Sequence, residues 1–305
     1  MAKNKYNKKD IKIQFEKIYI LCFNRCNQIR LNIQISEEKI MIYNKKVTAI
    51  ILAAGNSVRY GRNRNKNFEK INGKPVLQYS IECFDNNDKI DNILIASKEN
   101  ELYIINKIIS KLNLNKKVQL IVGGRSRKES VYKCITKTNS DIVIIHDGAR
   151  PAIKPMYIDK CLNAMKEYRG ASVGIKAKDT IKITNQDGIV LETTKRSNTW
   201  QIHTPQCFNR KILVKAHENC KDDDIITDDC MLLENLGYKV KLVEDDYTNI
   251  KLTNYEDLNM LKQYIGDKSD IINWLNEKFI YISKVVQKIR KTFIKSDIDN
   301  LEVDK

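Results

Sequence analysis

Six residues, Val47-Thr-Ala-Ile-Ile-Leu52, form a β-rich apolar run that passes at once into Ala53-Ala54-Gly55-Asn56-Ser57. A run apolar on both faces is a strand buried inside a parallel sheet. A small-residue loop directly after it is the usual opening of a nucleotide-binding α/β domain. The same rhythm then repeats. Pro75 to Phe84 reads as a helix with Val76, Leu77, Ser80, Ile81 and Phe84 on one face and Pro75 in its first turn. Strands are predicted at 93–96, 118–122 and 141–145, with a helix between the first two over 102–112, whose apolar positions fall at helical spacing. This alternation predicts parallel strands with right-handed crossovers and hence a doubly wound sheet. Ligands bind such sheets at the carboxyl ends of the strands, where Gly55, Gly123-Gly124 and His146-Asp147 fall.

Residues 174–210 break the rhythm. Lys182 to Leu191 alternates around a Gln-Asp-Gly turn signal, so it reads as a hairpin arm leaving the main sheet. The sheet pattern returns with a helix over 228–236, a strand over 239–243 and a helix over 255–265. Outside this body, residues 1–46 form a basic N-terminal extension with eleven Lys/Arg against four Asp/Glu. Residues 267–305 form a tail whose apolar positions, from Ile271 to Phe293, follow a near-heptad stripe. These bounds leave one α/β domain over 47–266, with its arm at about 174–210.

The chain holds 54 basic and 38 acidic residues, a net charge of +16. Such an excess favours phosphorylated partners. A nucleic-acid partner would need a recognition motif beside the charge, and none is present. No apolar run reaches the roughly 18 residues of a spanning helix, so no integral membrane association is expected. The eight cysteines form no CxxC pair, which together with only three histidines argues against a zinc site and for thiols in a reducing cytoplasm.

Four clusters share the chemistry of handling phosphates. In the first, the loop Ala53-Ala54-Gly55 lets backbone N–H groups approach phosphate oxygens, with Arg59 and Lys66 close behind to neutralise charge. The second, His146-Asp147-Gly148-Ala149-Arg150-Pro151, ends a strand with a carboxylate suited to a Mg²⁺ bound mainly by phosphate oxygens; His146 itself reads as a satisfied core histidine. The third combines Thr194-Lys195-Arg196, Trp200 and Thr204-Pro205-Gln206. The fourth combines Thr227-Asp228 with Asn249-Ile250-Lys251-Leu252-Thr253. Thr227 also suits a helix N-cap.

In this order the motifs resemble the 2-C-methyl-D-erythritol 4-phosphate cytidylyltransferase family, from about Val47 to Ile265. The resemblance implies a Rossmann-like nucleotidyltransferase fold, a homodimer joined by a protruding β-hairpin arm, and Mg²⁺-dependent transfer of CMP from CTP to a small polyol phosphate. It implies that Ala53, Ala54, Gly124 and Ser130 surround the cytosine, with Gly55 in the same CTP-binding loop. Arg59 and Lys66 would bind the triphosphate, and Asp147 would lie beside the metal. Thr227, Lys251 and, across the dimer, Thr180 and Arg196 would hold the methylerythritol phosphate, and Arg59, Lys66, Lys251 and Arg196 would be the cationic catalysts.

Three positions depart from the family's pattern: Asn65 where Pro usually precedes the lysine, Arg125 where an acidic residue often follows the glycine pair, and Lys195 where Asp is common. Two alternatives stay open on sequence alone, a ribitol-5-phosphate cytidylyltransferase and a nucleotide-binding paralogue without catalysis. Ala-Ala-Gly55, Gly-Ala-Arg150 and the spacing from Arg196 to Trp200 favour methylerythritol phosphate over ribitol phosphate. Retention of the cations and Asp147 argues for catalysis.

Overall fold

The computed structural model describes residues 45–61, 65–220 and 226–266. The N-terminal extension and the C-terminal tail lie outside the described residues. The chain runs β1 (Val47–Leu52), the short strands β2 (Lys70–Ile71) and β3 (Lys74–Pro75), helix α1 (Val76–Asp85), β4 (Asn92–Ser97), α2 (Leu102–Ile109), β5 (Lys117–Val122) and α3 (Arg127–Lys137). It continues through β6 (Ile142–Asp147), α4 (Pro155–Ala164), β7 (Gly170–Lys176), the hairpin β8 (Lys182–Thr184) and β9 (Val190–Thr193), β10 (Trp200–Asn209), α5 (Arg210–Asn219), α6 (Asp229–Asn235), β11 (Val240–Glu244) and α7 (Tyr255–Gly266).

The main sheet has the order β11-β7-β10-β6-β1-β4-β5. Strand β1 pairs in parallel with β4 on one side and β6 on the other. From β1 the chain builds outward through β4 and β5, then returns to place β6 on β1's opposite flank. The gap above β1 and β6 is therefore the topological switch point, where an open α/β sheet binds its ligands. The sheet is parallel except for β10, which runs antiparallel between β6 and β7. Both β7 and β10 stay in this sheet, so the arm that leaves it spans only 178–198. At its tip, Gly188 adopts φ +79°, the left-handed turn conformation that glycine reaches without strain.

Alternate residues of the same strands feed two cores. Val47, Ala49, Ile51 and Ile144 pack with Leu77, Ile81 and Phe84 of α1 and Ile158 and Leu162 of α4. Ile50, Val143, Ile145 and Phe208 face the other way, onto Val131 and Ile135 of α3, Leu213 of α5 and Leu233 of α6. Burial on both faces explains why β1 and β6 are apolar at nearly every position. Pro75 is extended and paired with Lys70, one residue ahead of its expected place inside α1. The α2 helix ends at Ile109, and a turn carries the chain on to Leu112.

A third, smaller core positions the site. Tyr60, Ile71, Val76, Ala149, Leu252, Leu258 and Leu261 pack together. Besides Ile71 of β2 and Val76 of α1, the loop carrying Arg59, the turn after β6, the loop carrying Lys251 and α7 meet there. The Leu252 N–H also donates to the Ala149 carbonyl at 2.8 Å. Burial of these apolar side chains thus fixes the spacing of three charged loops at the switch point.

Candidate active site

Strand β6 ends in Asp147, and three cations converge on its buried carboxylate. Lys251 Nζ lies 2.9 Å from Oδ2, Arg150 Nε 3.6 Å from Oδ2, and Arg127 Nε 3.7 Å from Oδ1. Burial alone would raise the pKa of this carboxyl, but Arg127, Lys251 and Arg150 together outweigh it and hold Asp147 well below the usual carboxylate range. Lys66 is half-buried in the same field. Burial, then the charge of Lys251, lowers its pKa to about 8, with Arg59 adding to the shift and Asp147 opposing it. The structure therefore brings Arg59, Lys66, Asp147 and Lys251 into one electrostatic cluster, with Arg59 exposed at its edge.

The pose of Lys66 follows from Asn65. The Asn65 side chain caps the single turn Lys66–Phe68 by accepting from the Asn67 N–H at 3.1 Å. Its amide donates to the Ala53 carbonyl at 2.8 Å and to Glu101 Oε2 at 2.8 Å. The Lys66 N–H donates to Ser57 Oγ at 3.2 Å. A departure from the family's proline thus becomes a buried capping residue that ties the lysine to the loop after β1.

Beside this cluster, a cavity of about 440 Å³ opens over the ends of β1, β4 and β5, lined by Ala54, Lys98, Gly124, Arg125, Glu129 and Lys133 among others. Ala54 and Gly124 of the expected base site face it. Ala53 is fully buried and contributes backbone, donating to the Ala96 carbonyl at 2.7 Å. Ser130 is buried below the floor, where its hydroxyl accepts from the Gly124 N–H and donates to the Ser126 carbonyl, each at 2.9 Å. A Cβ at Gly124 would stand 2.4 Å from the Glu129 side chain, so glycine is needed for that side chain to fold across it. Arg125 is exposed, and its N–H donates to Glu129 Oε2 at 2.7 Å. Around Gly55 a Cβ would meet nothing within 4 Å.

The remaining expected residues are exposed within one chain. Thr227 is exposed and Asp228, not Thr227, caps α6 by accepting from the Met231 N–H at 3.1 Å. Thr180 and Arg196 are exposed on the arm, with Arg196 donating to the Lys178 carbonyl at 3.3 Å. Lys195 is exposed next to it, outside the Asp147 cluster.

Two residues of the cluster escaped the sequence reading as site residues. Arg127, the first residue of α3, bridges Asp147 to the buried Asp229, whose Oδ2 lies 2.7 Å from its Nη1. Arg150 donates to the Asn249 carbonyl at 2.7 Å while facing Asp147. His146 is the satisfied core histidine expected. Its Nε2 lies 3.1 Å from the Arg150 carbonyl, an acceptor, so Nε2 carries the proton, and Nδ1 accepts from Thr204 Oγ1 at 3.0 Å. Burial lowers its pKa to about 4, which keeps it neutral at physiological pH.

The family model for 2-C-methyl-D-erythritol 4-phosphate cytidylyltransferase matches residues 47–267. The chain belongs to this family. Curated relatives of that name include one from Caldanaerobacter subterraneus subsp. tengcongensis, 41% identical over 223 residues that cover 72% of this chain and 98% of the relative. Another, from Fusobacterium nucleatum subsp. nucleatum, is 44% identical over 223 residues, covering 72% and 96%. Among solved structures, the 4-diphosphocytidyl-2C-methyl-D-erythritol synthase of Anaerococcus prevotii aligns with a TM-score of 0.67 at 28% identity, over 75% of this chain and 99% of that one. Like its family, the chain is an enzyme, a nucleotidyltransferase with a mixed, parallel-dominated α/β sheet.

Proposed function

We infer that this chain transfers CMP from CTP to 2-C-methyl-D-erythritol 4-phosphate, giving 4-CDP-2-C-methyl-D-erythritol and pyrophosphate. The observation that carries the reading is the ring of Lys251, Arg150 and Arg127 around Asp147, with Lys66 beside it, at the switch point of a family-member fold. The nucleophile is a phosphate monoester oxygen, ionised at neutral pH, so no strong general base is needed. It forms a bond to the α-phosphorus of CTP as the bond from that phosphorus to the bridging oxygen breaks, and pyrophosphate leaves with the electron pair. The difficulty is bringing two anions together while charge builds around the α-phosphate. Lys66 and Arg59 would neutralise the triphosphate, and Lys251 would lie between nucleotide and acceptor. Ala54 and Gly124 would flank the cytosine in the 440 Å³ cavity, with Ser130 holding the Gly124 backbone behind it.

Among the described residues, no group of three or more His, Cys, Asp or Glu side chains converges to hold a metal. Asp147 does offer an ionised carboxylate at the triphosphate end of the site. That donor set fits a Mg²⁺ that arrives with the nucleotide, bound by phosphate oxygens and Asp147. When bound, it would supply further neutralisation of the triphosphate.

The same reading takes the enzyme as a cytoplasmic homodimer whose arm completes the neighbouring site with Thr180 and Arg196, while Thr227 and Lys251 of the receiving chain hold the polyol phosphate. In support, the arm carries Ile183, Ile189, Val190 and Leu191, all exposed and apolar within one chain. Mixed subunits test it. Arg196→Ala chains and Lys66→Ala chains, each nearly inactive alone, should regain activity when exchanged into heterodimers, because one of the two sites is then intact. No recovery despite verified exchange would show that each chain builds its site alone.

The substrate is tested with purified full-length protein, CTP and Mg²⁺, following pyrophosphate release with methylerythritol phosphate and with ribitol 5-phosphate. Release with the first and little with the second is expected. The reverse preference would overturn the assignment.

A further inference from the structure

We infer that Asn249 is a positioning residue that locks Lys251 and Arg150 into the ring of cations around Asp147. What that ring does rests on the transfer reading above; how it is held rests on geometry. Asn249 is fully buried, so it acts through its neighbours and not on substrate. Its Nδ2 donates to Asp245 Oδ2 at 2.6 Å and to the Thr204 carbonyl at 2.9 Å. Two acceptors fix the orientation of the amide, since rotating it would set Oδ1 against a carboxylate and a carbonyl. Its own main-chain carbonyl accepts from Arg150 Nη1 at 2.7 Å.

The anchor beneath Asn249 is itself secured. Asp245 Oδ2 lies 3.0 Å from His203 Nδ1, and the Asp245 N–H donates to the Gly174 carbonyl of β7 at 2.9 Å. Asn249 therefore staples the 245–251 loop to β7 through Asp245 and to β10 through Thr204. Its carbonyl aims the Arg150 guanidinium, and two residues on, Lys251 reaches Asp147 at 2.9 Å. A side chain that sets both an arginine and a lysine against one carboxylate controls the spacing of charge at the reacting centre. Misplacement by about 1 Å there can cost about 100-fold in rate.

The test compares Asn249→Ala with wild type in the full chain, measuring kcat, both KM values and Tm with CTP, methylerythritol phosphate and Mg²⁺. It then repeats the substitution in a Lys251→Ala background. Turnover should fall about 10- to 100-fold with KM for CTP changed by less than about threefold, because the nucleotide cavity is not touched. In the Lys251→Ala background the added loss should be several-fold smaller than in wild type, since the part carried through Lys251 is already gone and only the part carried through Arg150 remains. A folded Asn249→Ala enzyme with wild-type kcat, or a loss fully multiplicative with that of Lys251→Ala, would overturn the inference. If Asn249→Ala does not fold, Asp245→Asn carries the same test: it keeps the shape but weakens a charge-assisted bond. A smaller fall in kcat, non-multiplicative with Lys251→Ala, supports the inference, and unchanged kcat refutes it. Absence of turnover in the wild type would instead count against the transfer reading.

Discussion

Lys66→Ala lowers turnover by about 100- to 1,000-fold while the fold stays intact, the loss expected when a preorganised cation facing developing phosphate charge is removed. Steady-state kinetics with a thermal melt check both halves, and near-normal turnover would remove Lys66 from the catalytic set. Its ionisation gives an independent signature. Burial and the charge of Lys251 lower its pKa to about 8, so the cation is present below that pH and is lost as pH rises through it. In the free enzyme, kcat/KM for CTP should therefore decline on the alkaline side of about pH 8. Lys66→Arg keeps its charge at all accessible pH, so whatever rate it retains should lack that limb. Arg59 is exposed at the cluster's edge, and its replacement by alanine should cost less than that of Lys66.

Lys66, Asp147 and Lys251 were legible in the sequence because each follows a strand or closes a motif of unusual composition at a strand end. The two-sided apolar runs β1 and β6 told where those ends are. Arg127 was not legible. Gly123-Gly124-Arg125-Ser126-Arg127 offers two arginines with the same chemistry, and only the fold decides which turns inward. A signal was present: Ser126 followed three residues later by Glu129 is a helix-start pattern, and Ser126 Oγ does accept from the Glu129 N–H at 3.0 Å. That start places Arg127 at the first helical position, facing the site, and leaves Arg125 outside.

Strand β10 was hidden for a different reason. Pro205 argues against a central strand, because it cannot donate to the ladder. The structure accommodates it where the register with β7 shifts, between Ile202 and Gln206. Thr204-Pro205-Gln206 thus reads locally as a loop motif yet forms part of the sheet, and with β7 it narrows the protruding arm to 178–198. The small core of Tyr60, Ala149 and Leu252 was equally invisible, since its members come from segments far apart in sequence and show no common period.

The largest stability effect belongs to Arg127. Its Nη1 lies 2.7 Å from Asp229 Oδ2, and the Asp229 side chain is only 1% exposed. Arg127→Ala leaves that carboxylate beside Asp228 and Asp147 with its ion-pair partner gone, which should cost about 2 kcal/mol, less than for a fully buried pair because the Arg127 side chain is 32% exposed. The pH dependence follows from sign. Burial already raises the Asp229 pKa above its ordinary value, with Arg127 opposing that shift. Without Arg127 the folded pKa rises further above the unfolded one, so the folded variant binds a proton that the unfolded chain releases. Stability tied to that proton is present at low pH and is lost as pH rises through the folded pKa. The deficit of Arg127→Ala relative to wild type should therefore be largest near neutral pH and shrink as pH falls toward the ordinary carboxylate range. Asp229→Asn in the same chain should recover much of the lost stability at neutral pH by removing the stranded charge. It should not recover turnover, because the site still lacks one of the three cations that converge on Asp147. Denaturant melts of the two variants between pH 5 and pH 8 would check this. A pH-independent deficit, or no rescue by Asp229→Asn, would mean that Arg127 stabilises the fold by packing and not by pairing.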